Sequence, residues 1–362
     1  MSNLTADHPA VARGWPRLTL TVLVSTLLFL LVACGAGEAV STTDGAESTT
    51  ASPGEDTVTI ALLFSGPAND GGFYQSMADG LAEAAEEDGA VDLTIREKLG
   101  EGGDAALENA VREAAASGDF DLIVGHGFDI VPAIGKFAVE FPDQAFVTSL
   151  PVEGDPANVS VYLSRFNEIG YAAGFLAAAG TENGKVAFVS GPGLPFEVEG
   201  EAGFRQAVED FAPGSDVSVV YTGDFDDAQL GLEAVRTLVS GGVDSITNWL
   251  AAGQSGVYEG CSEDPAVVCF GNSPYSAPLA PEVVHASFLS NYEPLLPLWV
   301  DRIRNDNWTN TVDILTLENG GVGVTDATGI AGSRLEGLQT AIDDFRQKVE
   351  SGEVAVEPAP TS

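Results

Sequence analysis

Positive charge is scarce in this sequence. Lys and Arg number 15 against 54 Asp and Glu, a formal net charge of −39 over 362 residues. So few cations cannot neutralise a run of phosphates, which argues against nucleic acid as a partner. An anionic small molecule is disfavoured for the same reason, because the summed field repels it. The plainest account of the acids is a solvated surface suited to salty surroundings. Histidine is rarer still. His8, His126 and His285 lie far apart without ligand spacing, so no metal site is expected. The nucleophile elbow Gly-x-Ser-x-Gly is also missing: in "GQSGV" (253–257) the second glycine falls one place early. Without a nucleophile–base pair or a cofactor signature, neither an enzyme nor a bound cofactor is expected.

Cysteine occurs three times, and each position carries a different expectation. Arg13 and Arg17 precede an apolar stretch, "LTLTVLVSTLLFLLV" (18–32), which is of signal-peptide length and short for a membrane span. It ends in Leu31-Val32-Ala33-Cys34, which resembles a bacterial lipobox. Residues 1–33 then read as a signal peptide and Cys34 as the lipidated first residue of the mature chain. An uncleaved anchor with an incidental cysteine is the alternative. Residues 34–56 are small, polar and acidic, too poor in apolar surface to order themselves, and read as a tether from a membrane. Cys261 and Cys269 then lie on the oxidising side. "CSEDPAVVC" closes a small disulfide loop there, or the two remain buried thiols.

What the chain has in plenty is alternation. Near-continuous apolar runs such as "VTIALLF" (58–64), "FDLIVGHG" (120–127) and "KVAFVSG" (185–191) suit buried parallel strands. Between them lie helical patterns, among them 75–87, 104–118, 130–141, 167–180, 201–214 and 227–242. The series restarts near residue 165, so the expected fold is α/β with two doubly wound lobes hinged around a central cleft. Lobe 1 is expected over 56–164 and 291–312, lobe 2 over 165–290 and 313–351, with a tail at 352–362. Hinges are expected around 164–167, 289–292 and 311–313. Ligands bind such sheets beyond the carboxyl ends of the strands, so polar loops after strands are the candidate site.

The first such loop is "SGPANDGGFYQS" (65–76). Asn69 and Asp70 offer hydrogen bonds, glycines admit a ligand to the backbone, and Phe73 and Tyr74 offer flat faces. A phosphate loop would carry a lysine and no acid. Acid beside aromatics suits a neutral heterocycle. The competing account makes Asn-Asp-Gly-Gly a turn with a helix cap and Phe73 a core residue. Gly127, Phe128 and Asp129 follow the third strand and reach the same cleft. Trp249 is either cleft wall or packing. In "GDFDDAQLG" (223–231) the acids miss calcium-loop spacing, and Asp226 or Asp227 caps the next helix.

Several motifs in order carry a resemblance: "NDGGFYQS", "DLIVGHGF", "FPDQAFV", "NEIGYAAGFLAA", "GKVAFVSGPGLPFEVEGEAGFRQAV", "GDFDDAQLGLEAVRTLVSGGVDSI", "APEVVHASFLSNYEP" and "VESGEVAV". Over about residues 56–357 the chain resembles the BMP (basic membrane protein) lipoproteins, purine-nucleoside-receptor-like substrate-binding components of ABC importers. The resemblance implies a type I periplasmic-binding fold, a small neutral ligand (a purine nucleoside or base), an ABC permease as partner, and attachment to the extracytoplasmic face of the membrane through the lipid. It also implies that Asn69 and Asp70 hydrogen-bond the base, that Phe73 stacks near it, that Phe128 and Phe196 line an aromatic slot, and that Trp249 contributes from lobe 2. This chain departs from the family in two places. Where an acid and a lysine commonly hold the ribose, it has Asn272-Ser273-Pro274 and Leu289-Ser290-Asn291, which leaves Asn272 and Asn291 as the polar candidates. The same fold holding a sugar or signalling ligand for a receptor is the second reading, and a surface hydrolase the third.

The charge makes a testable demand. Raising sodium chloride from about 0.1 M to about 1 M shortens the screening length from ~10 Å to ~3 Å. The melting temperature should rise with it, and a flat or falling profile would show that surface repulsion does not limit stability.

Overall fold

The computed structural model describes residues 57–330, 333 and 335–358. The expected signal peptide, the expected lipidation site at Cys34 and the whole of the expected tether (34–56) lie outside the described residues.

In chain order the first half runs β1 (Val58–Phe64), α1 (Phe73–Asp88), β2 (Val91–Arg96), α2 (Asp104–Ser117), β3 (Leu122–His126), α3 (Val131–Glu140), β4 (Ala145–Thr148) and β5 (Val159–Ser164). The chain then crosses to α4 (Phe166–Gly180), β6 (Lys185–Ser190), α5 (Pro195–Phe211), β7 (Asp216–Tyr221), α6 (Ala228–Ser240), β8 (Ser245–Trp249), α7 (Gln254–Ser262), β9 (Val268–Gly271), the short α8 (Ser276–Leu279) and β10 (Val284–Ser290). It closes with α9 (Leu295–Arg304), β11 (Val312–Leu315), β12 (Val322–Val324) and α10 (Leu338–Glu350).

Two six-stranded sheets result, ordered β11-β5-β4-β3-β1-β2 and β12-β10-β9-β8-β6-β7. Every paired strand of the first sheet is parallel. The second is parallel except where β12 runs antiparallel to β10. The continuous apolar strands follow from helices on both faces. Ile60, Leu62 and Phe64 of β1 enter one core, and Ala61 and Leu63 enter the other. In β6, Val186 and Phe188 face one core while Ala187 and Val189 face the second. A strand with two buried faces has no polar side to show.

The lobe limits expected from the sequence need one correction. β11 pairs with β5, so residues 312–315 belong to the first sheet and the third crossover falls after Leu315 rather than at 311–313. The other two pass through Arg165 and through residues 291–294. Two helices differ from the sequence expectation. α5 begins at Pro195, six residues before the expected start, with proline at its first turn. α7 was not foreseen, because Gly256 and Gly260 weaken its helical signal.

Glycine has a packing reason in these helices. A methyl on Gly256 would overlap the Ala228 carbonyl. Between α4 and α5 the approach is reciprocal: a Cβ on Gly170 would run into the Gly200 carbonyl, and one on Gly203 into the Asn167 carbonyl. Each mid-helix glycine costs about 1 kcal/mol relative to alanine. Contact between two backbones offsets that, and α4 is buried on nearly every side. Gly203→Ala should therefore lower the unfolding free energy by about 3 kcal/mol or more. An unchanged urea midpoint would refute the backbone contact.

Candidate functional site

The three crossovers leave the carboxyl ends of β5, β10 and β11, so those ends of both sheets lie on the side where the lobes are joined. Beyond these ends each lobe carries aromatic rings.

On lobe 1 the rings are Phe73 and Phe128. Phe128 is 61% exposed and Phe73 38%, and the two lie near-parallel, 27° apart, with centroids 6.1 Å apart. Phe73 is therefore not a core residue. Its covered face stacks on His126 at 3.9 Å and 22°. His126 ends β3 fully buried and fixes this floor from below. Its Nε2 lies 3.0 Å from the Phe73 carbonyl, which can only accept, so Nε2 carries the proton. Nδ1 then accepts from the Tyr162 hydroxyl at 2.5 Å. Burial disfavours the imidazolium and pulls the His126 pKa down to about 3, only partly opposed by the bond to the Phe73 carbonyl.

On lobe 2 a second cluster stands at the ends of β6, β7 and β8. Phe196 packs on Phe166 at 5.2 Å, edge-on to Trp249 at 5.6 Å, and nearly parallel to Phe225 at 6.2 Å and 8°. Glu197 sets the loop that carries Phe196. This wholly buried carboxylate accepts from Ser190 Oγ at 2.5 Å and from the backbone N–H groups of Gly191, Gly193 and Leu194 at 2.6, 3.0 and 2.8 Å. The α4–α5 contact sets the other side: a Cβ on Gly200 would stand 2.6 Å from the Trp249 ring. Trp249 is thus both a packing residue and a partly buried member of the cluster.

The polar candidates divide. Asp70 is a helix cap: Oδ1 accepts from the N–H groups of Gly72 and Gln75, both at 3.0 Å, and Oδ2 from that of Tyr74 at 3.2 Å. A carboxylate has about four acceptor positions, so the exposed group retains capacity beyond its three bonds. Asn69, next to it, is exposed and its amide makes no hydrogen bond within the described residues. Tyr74 departs from the expected flat face: its ring lies across Gly66 and packs edge-on to His126. Burial, seconded by Asp129, raises its pKa. Gly127 is buried with φ +129°, and a Cβ there would crowd Ser65 Oγ at 2.5 Å.

Asn272 and Asn291 are each partly engaged within the protein. Asn272 Nδ2 donates to the Leu250 carbonyl at 2.6 Å. Asn291 Oδ1 accepts from the Glu293 N–H at 3.1 Å, and Nδ2 lies 3.3 Å from the Glu293 carboxylate, closing the turn into α9. His126, Phe166 and Phe225 escaped the sequence reading. Their positions directly at strand ends or in the loops beyond were the available signal. Cys261 and Cys269 form a disulfide with Cα atoms 6.3 Å apart, remote from the rings. Asp227 caps α6 through the N–H groups of Gln229 and Leu230. Among the described residues no cluster of His, Cys, Asp and Glu could hold a metal ion.

Two wound α/β lobes joined by three crossovers make this a type I periplasmic-binding fold, that of solute-binding proteins. Within that class the chain belongs to the Bmp family: residues 57–355 match the model described as ABC transporter substrate-binding protein, PnrA-like. Such a protein hands its solute on and is not an enzyme. A solute-binding protein of an ABC transporter system from Conexibacter woesei superposes with a TM-score of 0.70 at 30% identity, over 83% of this chain and 99% of that one. The chain is 25% identical over 251 residues to a purine-binding protein of Brucella abortus, covering 69% of each. It is 26% identical over 196 residues to an ABC transporter nucleoside-binding protein of Lactococcus lactis, covering 52% of this chain and 54% of that one.

The buried histidine gives a pH test. Its folded pKa lies below the ordinary 6.5, so between pH 6.5 and about 3 the unfolded chain binds a proton that the native protein refuses. Stability present above pH 6.5 is therefore lost on acidification, by about 2 kcal/mol at pH 5. The free-energy difference between the wild type and His126→Gln should shrink by that amount from pH 7 to pH 5 in urea titrations. A pH-independent difference would mean that His126 is not buried neutral.

Proposed function

We propose that this chain is a lipid-anchored, extracytoplasmic binding protein that delivers a small flat heterocycle, a purine base in preference to its nucleoside, to an ABC permease. What supports the ligand class is that each lobe carries an aromatic pair beyond the ends of its strands, Phe73 with Phe128 on lobe 1 and Phe196 with Trp249 on lobe 2. Asn69 supplies both a donor and an acceptor, and Asp70 a spare acceptor, for the polar edge of a ring. The names of the Brucella and Lactococcus relatives support the same class. The preference for the free base rests on positions 272 and 291, where the family pattern places an acid and a lysine to hold the ribose and this chain has neutral amides that already make hydrogen bonds within the protein.

Closure about the three crossovers is the working motion. Contacts available to the solute only with the lobes together shift the population toward the closed form, which the permease reads. The anchor is supplied by Cys34 after the apolar segment.

A thermal-shift screen in high salt tests the ligand. Purine bases should raise the melting temperature in a concentration-dependent way, through binding to the folded state. Nucleosides should do so more weakly and pentoses not at all. Phe128→Ala should shrink the shift while leaving the ligand-free melting temperature nearly unchanged, because the ring is exposed. A pentose shift without a purine shift would replace this reading with a sugar-binding one.

A further inference from the structure

Away from the crossovers, the lobes touch through the loop that follows β9. Ser273 is buried in lobe 2, yet its Oγ donates to the Gly71 carbonyl of lobe 1 at 2.9 Å. Two residues on, the Tyr275 hydroxyl donates to Asp79 Oδ2 at 2.5 Å and lies 3.5 Å from the Gln75 carbonyl. The receiving groups are themselves connected. Gly71 N–H donates to Gln75 Oε1 at 3.1 Å, and Gln75 Nε2 to Asp79 Oδ2 at 3.3 Å. Residues 71, 75 and 79 are spaced by four, so they share one side of α1 and its entry turn. Lobe 2 therefore grips both ends of a hydrogen-bonded row on lobe 1.

The gripping side is braced too. Ser276 Oγ lies 3.2 Å from Ser273 Oγ and donates to Gln254 Oε1 at 3.3 Å, which also accepts from the Tyr258 hydroxyl at 2.9 Å. Leu279, 65% exposed, stands 3.8 Å from where a Cβ on Gly71 would be. These bonds run from protein to protein and need no solute. The Ser273 bond ends on Gly71, the neighbour of Asp70 and two residues from Phe73.

We propose that Ser273 and Tyr275 form an inter-lobe latch that favours the closed arrangement by itself and slows escape of the bound solute. Both are positioning residues: they act through the Gly71–Gln75–Asp79 row on the loop that carries Asn69, Asp70 and Phe73. The consequence for binding rests on the solute-binding reading above, whereas the latch itself is measurable without solute. Because it forms on closure, after encounter, it governs dissociation more than association.

Two variants test it: Tyr275→Phe, which keeps the ring, and Ser273→Ala with Tyr275→Phe. Hydrogen exchange of the ligand-free protein should speed up in two separate segments, 271–279 of lobe 2 and 71–80 of lobe 1. With adenine as the probe, the double variant should dissociate about tenfold faster, the loss expected for two modest hydrogen bonds, with association within about twofold of wild type. Exchange that rises only in 271–279 would reduce both residues to local packing and overturn the latch. So would an unchanged dissociation rate. Should adenine fail to bind the wild type, the purine reading falls, and the exchange in 71–80 still decides the latch.

Discussion

The contact on which the binding side of lobe 2 depends is backbone against backbone. α4 is the first element after the crossover at Arg165, and it meets α5 through Gly170, Gly200 and Gly203, so closely that a methyl group has no room. That approach fixes three rings at once. Phe166 opens α4, Phe196 opens α5, and Trp249 rests above Gly200. Their mutual distances of 5.2–6.2 Å follow from how far two helix axes are allowed to approach. Lobe 1 reaches the same end differently, with a buried imidazole beneath Phe73 in place of a helix crossing.

The acids take a quieter part than their number suggests. Glu197, Asp227, Asp244 and Asp70 each accept backbone N–H groups where a strand gives way to a helix or a helix to a strand. Charge-assisted bonds of this kind hold loops that would otherwise leave buried donors unpaired. At Glu197 the consequence reaches the site, because the loop it gathers delivers Phe196. Cations, by contrast, are largely consumed in ion pairs such as Arg302 with Asp313 and Arg304 with Asp88. The loops beyond the strand ends thus carry rings and partly committed acceptors, the groups on which the proposed uncharged flat ligand would rest.

Much of the architecture was legible beforehand. The double series of strands and helices, the restart near residue 165 and the first loop as a polar strand-end site all follow from periodicity and from glycine, proline and acid placement. The misreadings have physical causes. α7 carries two glycines whose helical cost is met by contact with α6, which no local propensity reveals. The strand at Val312–Leu315 sits in the first sheet because it pairs with β5, a choice made by hydrogen bonding between segments about 150 residues apart. Tyr74 next to Phe73 looked equivalent to it, but successive residues of a helix point in different directions, and only one ring faces out.

The sequence by itself determined that two α/β units would form and that rings and acids would gather in loops after strands, since local periodicity and composition suffice for both. Tertiary structure alone decided which side chains are free. Asp70 is largely occupied, Asn69 has no partner among the described residues, Asn272 and Asn291 are partly engaged within the protein, and Ser273 and Tyr275 reach across to the other lobe. A donor or acceptor has a fixed number of bonds to make, and whether the protein uses them depends on groups that fold next to it from far along the chain.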